Sequence, residues 1–398
     1  MQMNLKPFKP VYFKIPLDRA VSPPFDTISE EQEKDLLSRP VNIYHLTSPN
    51  SPDKARQQFD SWVREGVLSF AEKEVMIVLV QDFPGFGRAQ SRIGVIGIVE
   101  SSSERDDVLP HEKTFEHFVE ERKKLMLQIE SQVEPIFLVT ESQSFDRELR
   151  QAIKGKIPYS TFEEPVGVVN HAYCIDQRET IEKISLSVSQ GRAIVADGHH
   201  RLKATKDIFS SGNNKSDFWK YSFSYVTSYY NESLLISGIH RLVTGKTNGT
   251  AFMENLKRYF DVEMMNLPSQ AGEIQIYDGD YYKLTPREAI SGSPPEVVDN
   301  LILRKCLGLS DSELEKEVSY AYNIAEAIEA VDSHGGIAIL VPSWDKSEFL
   351  NFLKRGCLLP QKSTFFYPKV PSGLGIYSRR NEEIDLSSPR RLESPDRC

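Results

Sequence analysis

The chain has 398 residues, the length of two or three typical domains, and 39% hydrophobic with 26% charged residues; this composition excludes fibrous and disordered classes. No run of about 18 apolar residues is present, which argues against membrane insertion. The 48 lysines and arginines and 57 acidic residues give a net charge of −9, which argues against nucleic-acid binding through overall charge. Four cysteines without a C-x-x-C pair and an N-terminus without an apolar signal segment predict a cytoplasmic protein with reduced thiols.

Hydrophobic periodicity and capping residues predict a mixture of helices and strands along the chain. Ser29 and Gln32 form a capping-box pattern, and Pro52 occupies the favoured first position of a helix. The predicted elements, in chain order, are helices 30–37 and 52–65, strands 75–80 and 93–99 as a hairpin, helix 115–129, strand 136–139, helix 180–188, strand 193–196, helix 199–209, strands 223–226 and 234–239, helices 251–260, 296–307 and 323–331, strand 337–341 and helix 346–354.

The order of these elements predicts the fold class. Strands and helices mix without strict β-α-β alternation, which favours an α+β fold with a mixed sheet over a doubly wound parallel sheet. We expect a core domain with an N-terminal elaboration over residues 1–245 and a C-terminal α/β part over 246–386. Residues 387–398, rich in Pro and Arg, are predicted to form a flexible tail.

The segment from Asp197 to Arg201 has the strongest chemical signal. An apolar strand leads through Asp197 and Gly198 into a helix whose first turn carries His199, His200 and Arg201. Backbone N–H groups, the positive end of the helix dipole and a guanidinium together form an anion-binding geometry, with Gly198 allowing a phosphate close to the backbone. Asp197 could hold a metal ion or accept a proton. The alternative is an ordinary helix start with two half-buried histidines.

A second polar cluster precedes the helix predicted from residue 115. His111 and Glu112 lie on the preceding loop, and Thr114 is expected to be the N-cap of the helix. The cluster is not a metalloprotease motif, because H-E-x-x-H would need a histidine where Phe115 stands. Its alternative interpretation is a solvated helix entry.

Two further segments carry candidate ligand-binding groups. Lys362, Ser363 and Thr364 precede the aromatic run 365–367, which suggests a loop whose polar end meets a ligand while the aromatic residues anchor it. Asp26 ends a rigid Pro-Pro-Phe-Asp turn that could aim its carboxylate at a substrate. Core packing alone would also explain the aromatic run 365–367, and a simple linker would explain the turn that ends at Asp26.

Five blocks, in this order, resemble the domain-of-unknown-function 1015 family over nearly the whole sequence. They are Pro23-Pro24-Phe25-Asp26, His111-Glu112-Lys113-Thr114, Asp197-Gly198-His199-His200-Arg201, His240-Arg241-Leu242 and residues 362–369. The Asp197 to Arg201 block is in turn similar to the nucleotide-phosphate motif of the ParB and sulfiredoxin superfamily, which includes kinases of free serine. The resemblance therefore implies a ParB/sulfiredoxin-like core.

The resemblance also implies roles for individual residues. Gly198, His199 and Arg201 would hold nucleotide phosphates, and His111, Thr114, Lys362, Ser363 and Thr364 receive weaker support for the same role. The cofactors it implies are ATP or ADP with Mg²⁺. Sulfiredoxin chemistry needs a cysteine at the position of His199, so thiol repair is disfavoured.

The expected function is a nucleotide-dependent phosphotransferase acting on a small hydroxyl-bearing metabolite, with serine as one candidate. Such a reaction needs charge clamping and a base for the acceptor hydroxyl. We assign Glu112 as the base, Asp197 or His200 to metal or proton handling, and Asp26 to the substrate. The alternatives are a nucleotide-binding regulatory or DNA-associated module and a phosphohydrolase that uses the same anion site. The expected partners are a nucleotide and a small metabolite; the oligomeric state is left open.

Overall fold

The structure is a computed structural model that describes residues 3–85, 88–101, 107–189, 191–212, 216–244, 249–268, 272–290, 292–354, 356 and 358–381. The strands within these residues are β1 Leu5–Lys6, β2 Pro10–Phe13, β3 Leu68–Phe70, β4 Met76–Gly85, β5 Arg88–Glu100, β6 Val108–Leu109, β7 Ser131–Gln132, β8 Ile136–Thr140, β9 Ser160–Glu163, β10 Val169–Ile175, β11 Ala193–Asp197, β12 Tyr221–Ser228, β13 Leu235–Ser237, β14 His240–Val243, β15 Phe260–Met265, β16 Ile274–Tyr277, β17 Tyr281–Pro286, β18 Val318–Ala321, β19 Ile337–Leu340, β20 Phe365–Tyr367 and β21 Ile376–Ser378.

The helices are interspersed among these strands. They are α1 Leu17–Ala20, α2 Glu30–Ser38, α3 Tyr44–Thr47, α4 Pro52–Arg64, α5 Glu116–Ile129, α6 Phe145–Ile153, α7 Arg178–Val188, α8 His199–Ser210, α9 Gly249–Leu256, α10 Pro294–Val297, α11 Asp311–Glu317, α12 Ile324–His334 and α13 Lys346–Lys354. Two 3-10 turns cover Phe25–Thr27 and Asp217–Lys220, and α10 continues as a π-helix over Val298–Cys306. None of the described helices is long and apolar enough to cross a bilayer.

Local signals account for several of these elements. The predicted capping box is confirmed at the start of α2: Ser29 Oγ accepts from the N–H of Gln32 at 3.3 Å, and Gln32 Oε1 accepts from the N–H of Ser29 at 3.0 Å. Helix α4 begins at Pro52, as predicted. The predicted hairpin is also confirmed, because β4 and β5 pair antiparallel from Ile77 opposite Ile96 to the end of β4.

The chain divides into two compact units. Unit 1 comprises Met1–Pro110, Thr114–Leu234 and Pro368–Cys398, and unit 2 comprises His111–Lys113 and Leu235–Tyr367. This division is discontinuous in sequence, whereas the predicted one cuts the chain once near residue 245, which lies outside the described residues. The predicted tail, 387–398, also lies outside them.

Unit 1 contains a mixed sheet, as predicted. Its described strands run in the order β6-β11-β8-β12-β5-β4-β10-β9, with β1 also paired to β5. The pairs β11–β6 and β12–β8 are parallel and the other pairs of this sheet are antiparallel. A second sheet of unit 1 has the order β3-β2-β21-β7, so β21 lies between two strands from earlier in the chain.

Two hydrophobic clusters hold the helices of unit 1 in place. One includes Phe145 and Leu149 of α6 and Ile184 of α7, packed with residues of the large sheet. The other joins helices to one another and includes Val119 of α5 and Ile208 of α8. Burial of such side chains contributes roughly 1.5–3 kcal/mol each.

Unit 2 has its own sheet and core. Its strands run in the order β15-β17-β16-β19-β14-β18, and β13 pairs with β20. The core includes Phe252, Leu256 and Phe260 with residues of the π-helical segment. The predicted helix 296–307 therefore exists as a helical stretch, but its first turn is α-helical and the remainder is a π-helix.

Candidate functional site

The turn between β11 and α8 contains the predicted anion-binding segment. The β8–β11 register shifts between Val195 and Asp197, which is a β-bulge immediately before the turn. Gly198 is the N-cap of α8, with φ 91° and ψ 30°. A Cβ atom at this position would lie 3.1 Å from the guanidinium of Arg201. Glycine is therefore required here both for the left-handed backbone and for the close approach of Arg201.

A buried ion cluster lies directly at this turn. Arg201 Nη2 donates to Asp197 Oδ2 at 2.5 Å, and Lys369 Nζ donates to Asp197 Oδ1. Arg201 Nη1 also donates to the carbonyl oxygen of Pro135 at 2.7 Å. The three charged side chains are between 7% and 13% exposed. Each oxygen of the carboxylate thus accepts from a different cation, and the cluster carries one net positive charge.

The charges around Asp197 determine its protonation. Burial alone would raise the pKa of the Asp197 carboxyl, but the charges of Lys369 and Arg201 lower that pKa well below its ordinary value. The carboxylate is therefore ionised at neutral pH. Its contacts hold the two cations beside the start of α8. Both of its oxygens already accept from these cations, whereas a proton acceptor needs an oxygen directed at the substrate.

The backbone that carries Lys369 is held by buried polar side chains. Arg92 Nη2 donates to the carbonyl oxygen of Pro368 at 2.5 Å and also to Gln81 Oε1. Gln81 Nε2 donates to the carbonyl oxygen of Lys369 at 3.0 Å. The guanidinium of Arg92 lies 4.7 Å from the centre of the Phe137 ring. These contacts fix the main chain at 368–369 and so help to position the Lys369 ammonium.

The two histidines of the segment have different surroundings. His199 is buried, whereas His200 is partly exposed and its Nε2 accepts from the N–H of Phe115 at 3.2 Å. Phe115 is the N-cap of α5, so the prediction that Thr114 caps this helix is wrong. No side-chain cap bond is present at the described start of α5; His200 instead accepts from the N–H of the N-cap residue itself. The proposed part of His200 in proton handling stays a prediction.

Unit 2 contains the second predicted cluster. Glu112 Oε1 accepts from the N–H groups of Ser363 and Thr364, both at 3.1 Å, and from Thr364 Oγ1 at 3.0 Å. The buried His111 ring lies with Nε2 2.7 Å from Thr364 Oγ1 and 3.6 Å from Glu112 Oε1. Two consecutive backbone N–H groups and a hydroxyl therefore surround one carboxylate oxygen, which is an anion-binding cradle filled by Glu112.

A strained residue and a buried ion pair shape this cradle. Lys362 has φ 55°, in the left-handed region, and its Nζ donates to the hydroxyl of Tyr322 at 3.0 Å. Arg241 Nη1 donates to the carbonyl oxygen of Lys362 at 3.0 Å, and its Nε donates to Asp299 at 3.1 Å. Arg241 is buried, and Asp299 fixes the position of its guanidinium. Through its bond to the carbonyl oxygen of Lys362, Arg241 holds the turn that carries the N–H groups of residues 363 and 364.

The structure brings the predicted residues together in two groups. Asp197, Gly198 and Arg201 meet in unit 1, and His111 and Glu112 meet residues 363–364 in unit 2 although about 250 residues separate them in sequence. Asp26 lies in the 3-10 turn Phe25–Thr27, and its side chain is outside what the structure describes. Within the described residues, no group of three His, Cys, Asp or Glu side chains could hold a metal ion.

Sequence reasoning did not assign roles to several charged residues of these sites. Lys369 is the last residue of the block 362–369 that resembles the family, so the sequence singled out this residue without indicating its pairing with Asp197. Arg241 likewise belongs to a family-like block. Arg92 and Gln81 lie in strands β5 and β4 and have no local motif; only their pairing across the hairpin and their contact with residues 368–369 reveal them.

Comparisons with known proteins give one family and several distant structures. The family described as "Protein of unknown function (DUF1015)" matches residues 5–307. No curated protein matches the chain. A conserved hypothetical protein from Pyrococcus furiosus is similar in structure, with 14% identity, a TM-score of 0.41, and coverage of 72% of this chain and 96% of that one.

Two other structures show a similar degree of likeness. One is a mutant free serine kinase in complex with ADP, with 14% identity, a TM-score of 0.41, and coverage of 73% of this chain and 97% of that one. The other is SbnI with a C-terminal truncation from Staphylococcus aureus, with 13% identity, a TM-score of 0.38, and coverage of 70% of this chain and 87% of that one.

Proposed function

We propose that this chain, which belongs to the DUF1015 family of proteins of unknown function, is a nucleotide-dependent phosphotransferase that acts on a small hydroxyl-bearing metabolite. The proposal places the phosphates of ATP or ADP at the start of α8 in unit 1. It further assigns unit 1 a ParB/sulfiredoxin-like fold, supported by the position of the Asp-Gly-His-His-Arg block at a strand-to-helix turn.

One observation carries the proposal. Arg201 and Lys369 both pair with the carboxylate of Asp197 directly before the first turn of α8, so two cations lie at the N-terminus of a 12-residue helix. Gly198, the N-cap, has no side chain with which to satisfy the N–H groups of the first turn. A phosphate at this turn would meet N–H donors, the helix dipole and two cations together.

The residues of the cluster have distinct parts in this proposal. Arg201 and Lys369 stabilise phosphate charge, and Asp197 keeps the two cations in place rather than binding a metal ion. Mg²⁺ would then be held mainly by the phosphate oxygens of the nucleotide, as is usual for this ion. When bound, it would neutralise charge on the transferring phosphoryl group. Glu112 lies in unit 2, and its assignment as the base stays a prediction.

Binding can be tested by thermal shift and calorimetry of the full chain with ATP, ADP and AMP, with and without Mg²⁺. A ligand that binds only the folded state raises the melting temperature by mass action. Lys369→Met should weaken nucleotide binding about tenfold or more, since a charge-assisted hydrogen bond contributes about 1.5–3 kcal/mol. Lys203→Met is the matched control: Lys203 lies on α8 but pairs with Asp207 at 2.9 Å, and nucleotide affinity should stay within about twofold.

Turnover can be tested with labelled nucleotide and a panel of small hydroxyl compounds that includes serine. Transfer of label to one of them supports the proposal. Release of inorganic phosphate without an acceptor would indicate a phosphohydrolase, and nucleotide binding without turnover would indicate a regulatory module. No melting shift with any nucleotide would contradict the proposal itself.

A further inference from the structure

Unit 1 has a cavity of about 400 Å³ whose wall includes Pro23, three residues before Asp26. Its wall is formed by residues near α1 and α2 and by the end of β9 with the residues that follow it. The charged lining residues are Asp18, Asp35, Arg39, Glu163 and Glu164, which are four carboxylates and one guanidinium. The volume is within the range of small-molecule sites.

Glu164 differs from the other acidic residues of the cavity because it is 9% exposed, whereas its neighbour Glu163 is exposed. Among the described residues its carboxylate makes one hydrogen bond, in which Asn170 Nδ2 donates to Oε1 at 2.7 Å. Asn170 Oδ1 accepts from Gln81 Nε2 at 3.0 Å, which fixes the orientation of the Asn170 amide. The carboxylate is therefore held in one position, with one oxygen engaged from the protein side.

Glu164 forms no ion pair within the described residues, although the positive charge of Arg92 acts on its carboxylate. Arg39, the basic residue of the cavity wall, pairs instead with Asp35 on α2 at 2.6 Å. Val21, Leu36, Pro23 and Pro165 add an apolar surface to the wall. An anchored, buried carboxylate in a cavity with an apolar wall is suited to a ligand with a positive head and a short aliphatic part.

We propose that this cavity binds a small organic cation, a primary ammonium compound with a short aliphatic chain, and that Glu164 is its counter-ion. This ligand binding is proposed in addition to the phosphotransferase activity and is tested without nucleotide. An aliphatic ammonium would place its N–H groups on the carboxylate and its carbon chain on the apolar wall. The remaining wall carboxylates would attract the cation toward the cavity.

The ionisation of Glu164 gives this binding a pH dependence. Burial raises the pKa of Glu164 to about 7, although the hydrogen bond from Asn170 and the charge of Arg92 oppose the rise. The other charged residues of the cavity wall are Asp18, Glu163 and the Asp35–Arg39 pair. An alkylammonium stays protonated over this range, so its affinity should increase as the pH rises from 6 to 8 and Glu164 loses its proton.

The test is calorimetric titration of the full chain with n-butylamine, and with 1-butanol as the uncharged analogue, at pH 8 and without nucleotide. Butylamine should bind at least about tenfold more tightly than butanol. Glu164→Gln retains an acceptor for Asn170 but removes the charge, and it should reduce butylamine affinity about tenfold. Glu163→Gln, the matched control at an exposed position of the same wall, should change affinity less than about twofold.

Equal binding of butylamine and butanol, or an affinity unchanged in Glu164→Gln, would overturn the proposal. So would an equal loss in Glu163→Gln, because it would assign the effect to general surface charge. If Glu164→Gln fails to fold by circular dichroism, the wild-type pH series decides: rising affinity between pH 6 and 8 supports the site, and a flat profile rejects it. None of these measurements uses a nucleotide. A failure of butylamine binding is therefore distinguishable from a failure of the proposed phosphotransferase activity.

Discussion

At residue scale, Gly198 combines a left-handed backbone with a close neighbour, the guanidinium of Arg201. Gly198→Ala should lower the free energy of unfolding by about 2 kcal/mol, since a methyl group adds left-handed strain and requires the Arg201 guanidinium to move by a few tenths of an ångström. Gly66→Ala is the control: Gly66 has φ 73°, but no described atom lies within 4 Å of the position of a Cβ, so only the strain of about 1 kcal/mol remains. Urea unfolding measures both; equal losses would contradict the role of Arg201.

Glu112 is the residue whose catalytic assignment is most open to test. Glu112→Gln retains an oxygen that can accept from the N–H groups of Ser363 and Thr364, so the fold and nucleotide affinity should persist. If Glu112 is the base, phosphoryl transfer should fall by about 100-fold or more. Steady-state rates and melting temperatures check this. A loss of stability that accompanies the loss of turnover would instead assign Glu112 to anchoring the 363–364 turn.

The two groups of site residues differ in how far sequence predicts them. Asp197, Gly198 and Arg201 are consecutive or one helical turn apart, so their meeting follows from local geometry. Lys369 pairs with Asp197 from 172 positions away. Periodicity and capping rules describe neighbours in the chain, so a partner of this kind emerges only from tertiary folding.

At the scale of single elements, the start of α5 depends on a residue of α8. His200→Ala should leave the N–H of Phe115 without this acceptor and destabilise the fold by about 0.5–1 kcal/mol, the effect of losing one hydrogen bond. Amide hydrogen exchange should become faster at residue 115 in particular. The exposed His334, replaced by Ala, is the control and should leave that amide unchanged. Unchanged exchange in His200→Ala would show that the ring does not protect the start of α5.

Several elements with clear local signals were predicted, whereas the amphipathic helix α6 and strand β9 were missed. The β4–β5 hairpin and helices α2, α4, α5, α7 and α8 were expected from apolar runs, caps and periodicity. Strand β9 was missed because it is at the edge of its sheet and buries only Phe162 among polar residues. The predicted strand 234–239 is shorter, Leu235–Ser237, because its extent follows its pairing with β20.

At the scale of the whole molecule, unit 1 requires residues that follow unit 2 in the chain. Strand β21 lies between β2 and β7, and the carbonyl groups of Pro368 and Lys369 accept from Arg92 and Gln81. A chain ending at residue 367 should therefore melt at least about 10 °C lower, because it loses a central strand and leaves buried donors without these acceptors. Circular dichroism measures the melting temperature.

A chain ending at residue 381 is the control for this truncation. It keeps every described residue of unit 1 and should melt within about 2 °C of the full chain. If the chain ending at residue 367 melts at the temperature of the control, the last segment contributes little to unit 1. This dependence could not be predicted from the sequence. The sequence pattern is most simply divided by a single boundary near residue 245. No local signal shows that β21, which follows unit 2 in the chain, pairs between two strands of unit 1.

The nested arrangement of the units affects the order in which the protein can fold during its synthesis. The ribosome releases residues 235–367 before residues 368–381, so the sequence of unit 2 has emerged while unit 1 still lacks β21 and Lys369. The nascent protein can therefore bury the core of unit 2 first, whereas the Arg201–Asp197–Lys369 cluster forms only after residue 369 has emerged. The proposed phosphate site would thus be assembled after the sequence of unit 2 has been released, and a ribosome stalled before residue 369 would expose a chain in which the Asp197 carboxylate has one of its two cations.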